Sequence, residues 1–273
     1  MMKKYIALFA AVLALVLVCS CASAAGIAVS KRGVDANTEL DKNVTNVLFL
    51  MQDGGVTDTM MLASINSRTG RSVMTRIDCD LIVSVPEVGE VPLGEVYELG
   101  DKRSKGFLAA RTVNQLLGLN ISTYIALDMA MLPELVEKIG VLNMSYDAEE
   151  AAAMGTWEGI NELEGEKVLD YVRLKLESDA PTRSRSYDAL MQMLYQALHS
   201  GDIMGMVGLG GKLLESMDTN LNAMAAVTMV SAVQGGTDRR EVALPMAEHT
   251  LTEQPLTADQ QAMKALLHKE IYE

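Results

Sequence analysis

Cysteine, histidine, aromatic rings and positive charge are all scarce in this chain, and each scarcity closes off a class of function. Three Cys in 273 residues cannot build a disulfide framework or a Cys-rich zinc site. The three His, at positions 199, 249 and 268, are scattered and point to no shared role. One Trp, eight Tyr and three Phe stand beside 19 Met, so methionine takes up much of the apolar interior. Twenty-three basic side chains against 36 acidic ones give a net charge of −13. That balance argues against a general nucleic-acid binder, whose surface must be basic to neutralise phosphates. With 49% hydrophobic residues, global disorder is excluded. The length suits one large domain or two small ones, enough for a substantial core. No internal repeat and no second linker is visible, which favours one domain. An anionic ligand would have to find its positive charge locally.

The N-terminus reads as an export signal. Lys3 and Lys4 precede an apolar run from Ile6 to Val18, and small residues follow from Cys19 to Ala25. The run is short for a membrane span, which needs ~20 apolar residues. Ala22-Ser23-Ala24 forms an A-x-A cleavage site, while Val18-Cys19-Ser20-Cys21 resembles a lipobox with Cys21 as the lipidated residue. An uncleaved anchor is the third route. All three place the bulk of the chain outside the cytoplasmic membrane, either secreted or attached to its outer face. Cleavage at either site removes Lys3 and Lys4 but no acid, taking the net charge from −13 to −15. Only Cys79 then remains, so no intrachain disulfide is possible. Residues 1–24 are thus the signal, 25–43 a polar tether and 44–273 the folded domain.

Asn46-Val-Leu-Phe-Leu-Met51 is a continuous apolar run, the mark of a strand buried on both faces. Asp53-Gly54-Gly55 is a turn. Thr59–Ile65 and Ser72–Ile77 are strands joined by a hairpin at Asn66–Gly70, and Leu81–Val85 is a short extended piece. Pro86–Gly100 reads as loop. A helix from Ser104 stops at Gly118, and a strand covers Ser122–Leu127. A second helix spans Met129–Ile139, with Asp128 as a possible cap, and Val141–Met144 is another strand. Leu163–Leu176, Arg183–His199, Gly201–Met217 and Asn220–Val233 read as helices. Val242–Leu244 is an edge strand and Thr257–Ile271 a final helix. Strands alternating with helices predict an α/β fold: a single α-β-α sandwich domain with a mixed central sheet and an apolar cavity.

Three segments resemble the LytR–CpsA–Psr family, also called the cell envelope-related transcriptional attenuator domain. The first is Asn46-Val-Leu-Phe-Leu-Met-Gln-Asp53 followed by Thr57-Asp58-Thr59-Met60-Met61. The family has there a buried strand ending in Asp, then R-S-D-T and hydrophobic residues. The second is Leu163-Glu-Gly-Glu-Lys-Val-Leu-Asp-Tyr171-Val-Arg173-Leu-Lys175, against L-x-G-x-x-A-L-x-Y-V-R-x-R. The third is Asp179 to Leu190, where the family shows D-x-G-R-x-x-R-Q. Thr112 to Gly140 matches the family's helix–strand–helix, and Asp218-Thr219-Asn220-Leu221 is like a recurring family segment. The core of the match spans about residues 44–200. Order and spacing together make it specific.

The resemblance implies an exported, membrane-associated protein that transfers glycopolymers from a polyprenyl-pyrophosphate carrier to peptidoglycan. It implies Mg²⁺ held by acidic residues, arginines on the pyrophosphate and an apolar cavity for the lipid tail. Such chemistry needs charge neutralisation while the phosphoryl bond breaks. Asp53 and Asp58 fall on the two metal-associated aspartates. Arg173, Lys175 and Arg185 fall on catalytic arginine positions, Lys175 keeping the charge but not the planar fork. Asp80 is retained, and Arg183 lies beside a family arginine position; both are substrate-binding candidates. The departures are equally specific. Val56, Cys79 and Thr182 stand where arginines are expected, and Ser186 where glutamine is. Losing a clamp on transition-state charge costs two or more orders of magnitude in rate. A non-catalytic envelope protein that binds polyprenyl phosphate or glycopolymer is therefore the alternative, and an exported scaffold that does neither is a third.

Plainer roles stand beside these. Asp53 before two glycines is also a turn residue, and Arg173 with Lys175 on a helix, ~200° apart, is also a solvated face. Cys79 reads as a small buried filler. The methionines at 191, 193, 204, 206, 217, 224 and 229 are either core or the lining of a lipid tunnel.

Overall fold

The computed structural model describes residues 42–102, 104–179, 183–199, 217–221, 238–244 and 257–273. The expected signal, tether and helices over Gly201–Met217 and Asn220–Val233 lie outside them, apart from Lys42 and Asn43 of the tether and the helix-end residues Met217, Asn220 and Leu221, of which Met217 is in a strand rather than a helix. No helix among the described residues is long and apolar enough to cross a membrane.

Six strands form one mixed sheet: β1 (Val44–Asp53), β2 (Val56–Asn66), β3 (Arg71–Ile77), β6 (Thr123–Asp128), β9 (Met217–Thr219) and β10 (Asp238–Leu244). Their order is β10-β3-β2-β1-β6-β9. β1 pairs antiparallel with β2 and parallel with β6. β2–β3 is antiparallel, and β10 adds parallel to β3 as an edge. The apolar runs in β1 and β2 are continuous because both faces of the sheet are covered. Leu48, Leu50, Met60 and Leu62 face one core, with α2 (Lys105–Leu117) and α7 (Thr257–Tyr272). Val47, Met51, Met61 and Ala63 face the other, with α3 (Leu132–Ile139), α5 (Lys167–Val172) and α6 (Arg185–His199). The result is an α-β-α sandwich. Methionine fills both cores, including Met51, Met60, Met61, Met74, Met129, Met131, Met144, Met193 and Met263. Met217 packs against one of them.

Several local expectations change. Pro86–Gly100 is not a bare loop. It contains β5 (Gly89–Pro92), hairpinned to β4 (Ile82–Val85), then a 3₁₀ turn and α1 (Val96–Leu99). Gly94 is obligatory there, since a Cβ would sit 2.8 Å from the Thr57 carbonyl oxygen. A helix over Leu163–Leu176 is also corrected. Leu163 ends β8 (Gly159–Leu163), which pairs with β7 (Leu142–Tyr146) in a separate two-stranded sheet. Gly165, at φ 49, makes the turn into α5, and α5 stops at Val172. Between β7 and β8 lies α4 (Ala148–Ala153), which the hydrophobic pattern did not reveal.

The Asp218–Leu221 segment is an edge clip. Asp218 accepts from the Tyr97 and Tyr124 hydroxyls at 2.8 and 3.2 Å. Thr219 donates to the Tyr124 carbonyl at 2.6 Å, and Asn220 bridges the Tyr124 N–H and the Ser122 carbonyl. These bonds fasten β9 to β6.

Candidate functional site

Two aspartates mark one end of the sheet. Asp53 is the last residue of β1. Asp58 is an extra residue in β2, because Gln52 pairs with Thr57 and Met51 with Thr59. Such a bulge twists the strand and re-aims the side chain. Each aspartate holds a cation. Arg173 donates from Nε and Nη2 to the two Asp53 oxygens, at 2.9 and 2.7 Å. Lys175 Nζ donates to Asp58 Oδ1 at 2.7 Å. Two residues of one helix would point apart, but Arg173 and Lys175 lie just past the end of α5, where the backbone is irregular, and both cations reach β1–β2.

A hydroxyl cluster backs Asp58. Thr59 and Ser186 donate to its Oδ2 at 3.1 and 3.4 Å. Thr59 Oγ1 lies 2.5 Å from Ser184 Oγ and 2.9 Å from Ser186 Oγ. All three hydroxyls are buried. Thr59 stands in the sequence as the threonine of the R-S-D-T resemblance, with no role of its own assigned, and Ser184 was not singled out.

Arg185, close by, has other partners. Its side chain is 2% exposed. It donates to Asp179 through Nη1 and Nη2, to Glu150 through Nε, and to the Leu174 carbonyl through Nη1 at 2.8 Å. Four of its five N–H groups are thus directed at protein acceptors. Arg183 bonds Glu150 and Asp188. Glu150 was missed in the sequence, although Asp147-Ala-Glu-Glu150 is a capping-box signature. The box is formed: Asp147 accepts from the Glu149 and Glu150 N–H groups, and Glu150 Oε2 accepts from the Asp147 N–H. The other Glu150 oxygen takes Arg183 and Arg185.

Among the positions that lack the expected arginine, Val56 is 48% exposed at the start of β2. Thr182 lies outside the described residues. Burial pushes the Cys79 thiol well above its usual range, and the charges of Asp58, Asp78 and Asp80 push it the same way. It therefore stays protonated and is no nucleophile. Asp80 is exposed, and its N–H donates to Asp78. Burial, foremost, raises the Asp78 carboxyl. Arg76 lines a cavity of about 160 Å³ with Met61, Met74, Tyr187, Asp188 and Glu241.

Whether these residues suit magnesium turns on donor chemistry. No three His, Cys, Asp or Glu among the described residues gather to hold a metal. Mg²⁺, however, takes one or two carboxylates and completes its shell with water and substrate phosphates. Asp58 fits: only its Oδ1 is taken by a cation, Lys175, while Oδ2 faces the Thr59 and Ser186 hydroxyls. Gln52, which pairs with Thr57 in the sheet, has a buried Oε1 without a partner. Asp53 fits less well, because both its oxygens accept from Arg173.

The comparisons agree with this architecture. A teichoic acid transferase TagU of Oceanobacillus iheyensis, named as acting between polyisoprenyl-teichoic acid and peptidoglycan, is 25% identical over 191 residues. The match covers 66% of this chain and 59% of that one, so the chain spans about three fifths of the curated relative's length. The crystal structure of B. subtilis TagT superposes with TM-score 0.64 at 16% identity, over 90% of this chain and 99% of that one. A TagT structure described as holding octaprenyl pyrophosphate superposes with TM-score 0.58 at 16% identity, over 90% and 98%. At such identities the likeness is one of fold. The sequence model of the LytR_cpsA_psr family matches residues 23–270, and the chain belongs to that family.

Proposed function

We propose that the Asp53–Arg173 and Asp58–Lys175 end of the sheet receives the pyrophosphate of a polyprenyl-linked cell-envelope glycopolymer, and that the chain transfers that polymer to peptidoglycan. The observation that carries this is the pairing itself: two cations, exposed at one sheet end and each parked on a carboxylate. Side-chain exposure is 48% for Arg173 and 66% for Lys175. Exposed ion pairs of this kind are worth ~0–1 kcal/mol, so a diphosphate exchanges with the aspartates at little cost. An acceptor sugar hydroxyl then attacks the phosphorus that carries the polymer. The bond to the bridging oxygen breaks, and polyprenyl phosphate leaves. Arg173 and Lys175 balance the charge that grows on the leaving group. A magnesium ion, if bound, would supply neutralisation of the phosphate charge. Asp58 is the residue we assign to hold it, with the Thr59 and Ser186 hydroxyls fixing the carboxylate, and Asp53 as the second acid of the pair. Arg185 acts at one remove, by gripping the Leu174 carbonyl between the two cations. The catalytic surface lies on the outer side of the cytoplasmic membrane, with residues 1–24 as export signal and 25–43 as tether.

The test is incubation with a polyprenyl pyrophosphate and Mg²⁺. Hydrolysis to polyprenyl phosphate and inorganic phosphate, with water standing in for the acceptor hydroxyl and at least a hundredfold slower in Asp58→Ala, supports the transferase. A second reading has its own observation: Val56 and Cys79 put an exposed methyl pair and a protonated thiol where arginines are expected. Tight lipid binding without turnover would establish that non-catalytic binder. Loss of both would sink the reading.

A further inference from the structure

The chain's one Trp is spent on the surface. Trp157, in the loop just before β8, is 70% exposed, and Ile160, on β8 of the short β7–β8 sheet, is 71% exposed. That sheet is two-faced. Leu142, Met144, Tyr146 and Leu163 point into the core. Asn143, Ser145, Ile160 and Glu162 point out, in register as Asn143 with Glu162 and Ser145 with Ile160. The Trp157 loop is held from beneath. The buried Asn161 side chain donates to the Trp157 and Gly159 carbonyls at 2.8 and 3.0 Å and accepts from the Thr156 hydroxyl at 2.7 Å. A large ring is thus presented on an ordered support rather than left on a loose one.

Charge restricts what covers it. From Asn143 to Glu166 the sequence has seven carboxylates and no Lys or Arg. Glu158 follows Trp157 in the sequence and Glu162 lies on β8 two residues past Ile160, and both are exposed. An anionic lipid surface or a polyphosphate is repelled here, whereas both need cations to bind. An uncharged, hydroxyl- and amide-rich chain is not repelled. Its apolar sugar faces stack on an indole, and carboxylates and Asn accept from its hydroxyls. The chain also leads from this face to the proposed site. β8 runs through the Gly165 turn into α5 and so to Arg173, and α4, just before the Trp157 loop, carries the Glu150 that holds Arg185. The two substrates are thereby sorted by charge: the phosphorylated donor at Arg173 and Lys175, the unphosphorylated acceptor on the acidic face.

We propose that Trp157, Ile160, Asn143 and Glu162 form a docking surface for an N-acetylated glycan strand, the acceptor. This rests on the transfer reading for its purpose but not for its test. Trp157 is the protein's only indole, so its emission reports the site directly. The full chain is titrated with a β-1,4-linked N-acetylglucosamine hexamer. A saturable blue shift is expected, with Trp157→Ala and Ile160→Ser weakening the same binding at least tenfold by calorimetry. Both variants should still bind polyprenyl pyrophosphate like the parent, which separates this surface from the donor site. Unchanged emission up to the solubility limit of the hexamer overturns the proposal. So does a shift produced by phosphatidylglycerol vesicles or polyphosphate and not by the glycan.

Discussion

Arg173 and Arg185 are both arginines near one sheet end, yet they sit in opposite environments. Arg173 is half exposed and holds one carboxylate. Arg185 is 2% exposed and is held by Asp179, Glu150 and a carbonyl. The exposed pair is cheap to open, and therefore available to a ligand. A buried pair loses its Coulomb energy only by stranding a desolvated charge. Burial, more than residue type, separates a group that meets substrate from one that sets the frame. The frame here is specific: Arg185 binds the carbonyl of Leu174, the residue between the two exposed cations.

The largest expected effect comes from breaking the buried side. Arg185→Ala leaves Glu150 unpaired by one partner and is expected to cost roughly 3–5 kcal/mol. At ~2–4 °C per kcal/mol for a domain of this size, the melting temperature falls by about 10 °C. A thermal melt within a degree or two of the parent would mean that the network carries no stability. Arg173→Ala is the mirror experiment. Its melting temperature should move little, because the pair is exposed. Its affinity for a polyprenyl pyrophosphate should fall roughly 10- to 100-fold, the loss of a charge-assisted hydrogen bond of ~1.5–3 kcal/mol. Calorimetric titration of both variants decides whether the two arginines divide their roles as argued.

The comparison is sharpened by adding charge instead of removing it. Val56 is exposed at the head of β2, where an arginine fits without repacking. Val56→Arg should leave stability within ~0.5 kcal/mol and tighten pyrophosphate binding by about tenfold. If phosphate release rises as well, the chain is a weakened transferase. If binding tightens and turnover stays absent, the non-catalytic reading gains.

The buried strands were legible because β1 and β2 are apolar on both faces, which leaves a continuous run. Read alone, Asp53 before Gly54-Gly55 is a turn residue; Asp53 and Asp58 were legible only through the family resemblance, as the Asp that ends a buried strand and the Asp of the R-S-D-T pattern. Their partners were not. Periodicity carries Arg173 and Lys175 onto a helix, facing apart, because nothing local stops α5 at Val172. The stop is tertiary: Arg185 takes the Leu174 carbonyl, and Asp179 accepts the Leu176 N–H at 2.8 Å. The burial of Arg185, which the resemblance placed among the pyrophosphate arginines, was not legible, since a sequence does not display burial. Glu150 was overlooked because α4 is only six residues long and carries almost no hydrophobic period, although its capping box was in plain view.

The smallest expected effect follows from protonating the buried side. The Arg185 hydrogen bonds foremost, with the Leu176 N–H, hold the Asp179 carboxyl below the usual carboxylate range, while its burial opposes them. A carboxyl with a depressed folded value adds stability that is fully present above its unfolded pKa of ~3.9 and is lost as pH falls through the lower, folded one. Urea melts should therefore show flat stability from this group between neutral pH and about pH 5, then a decline below pH 4. Asp179→Asn removes the titration, so its stability should start lower and decline less steeply with acid than that of the parent. Parallel slopes would show that Asp179 and Arg185 are neighbours without thermodynamic coupling. Arg185 would then grip Leu174 without the support of the carboxylate, and the division between a rigid buried frame and an exchangeable exposed pair would rest on Glu150 alone.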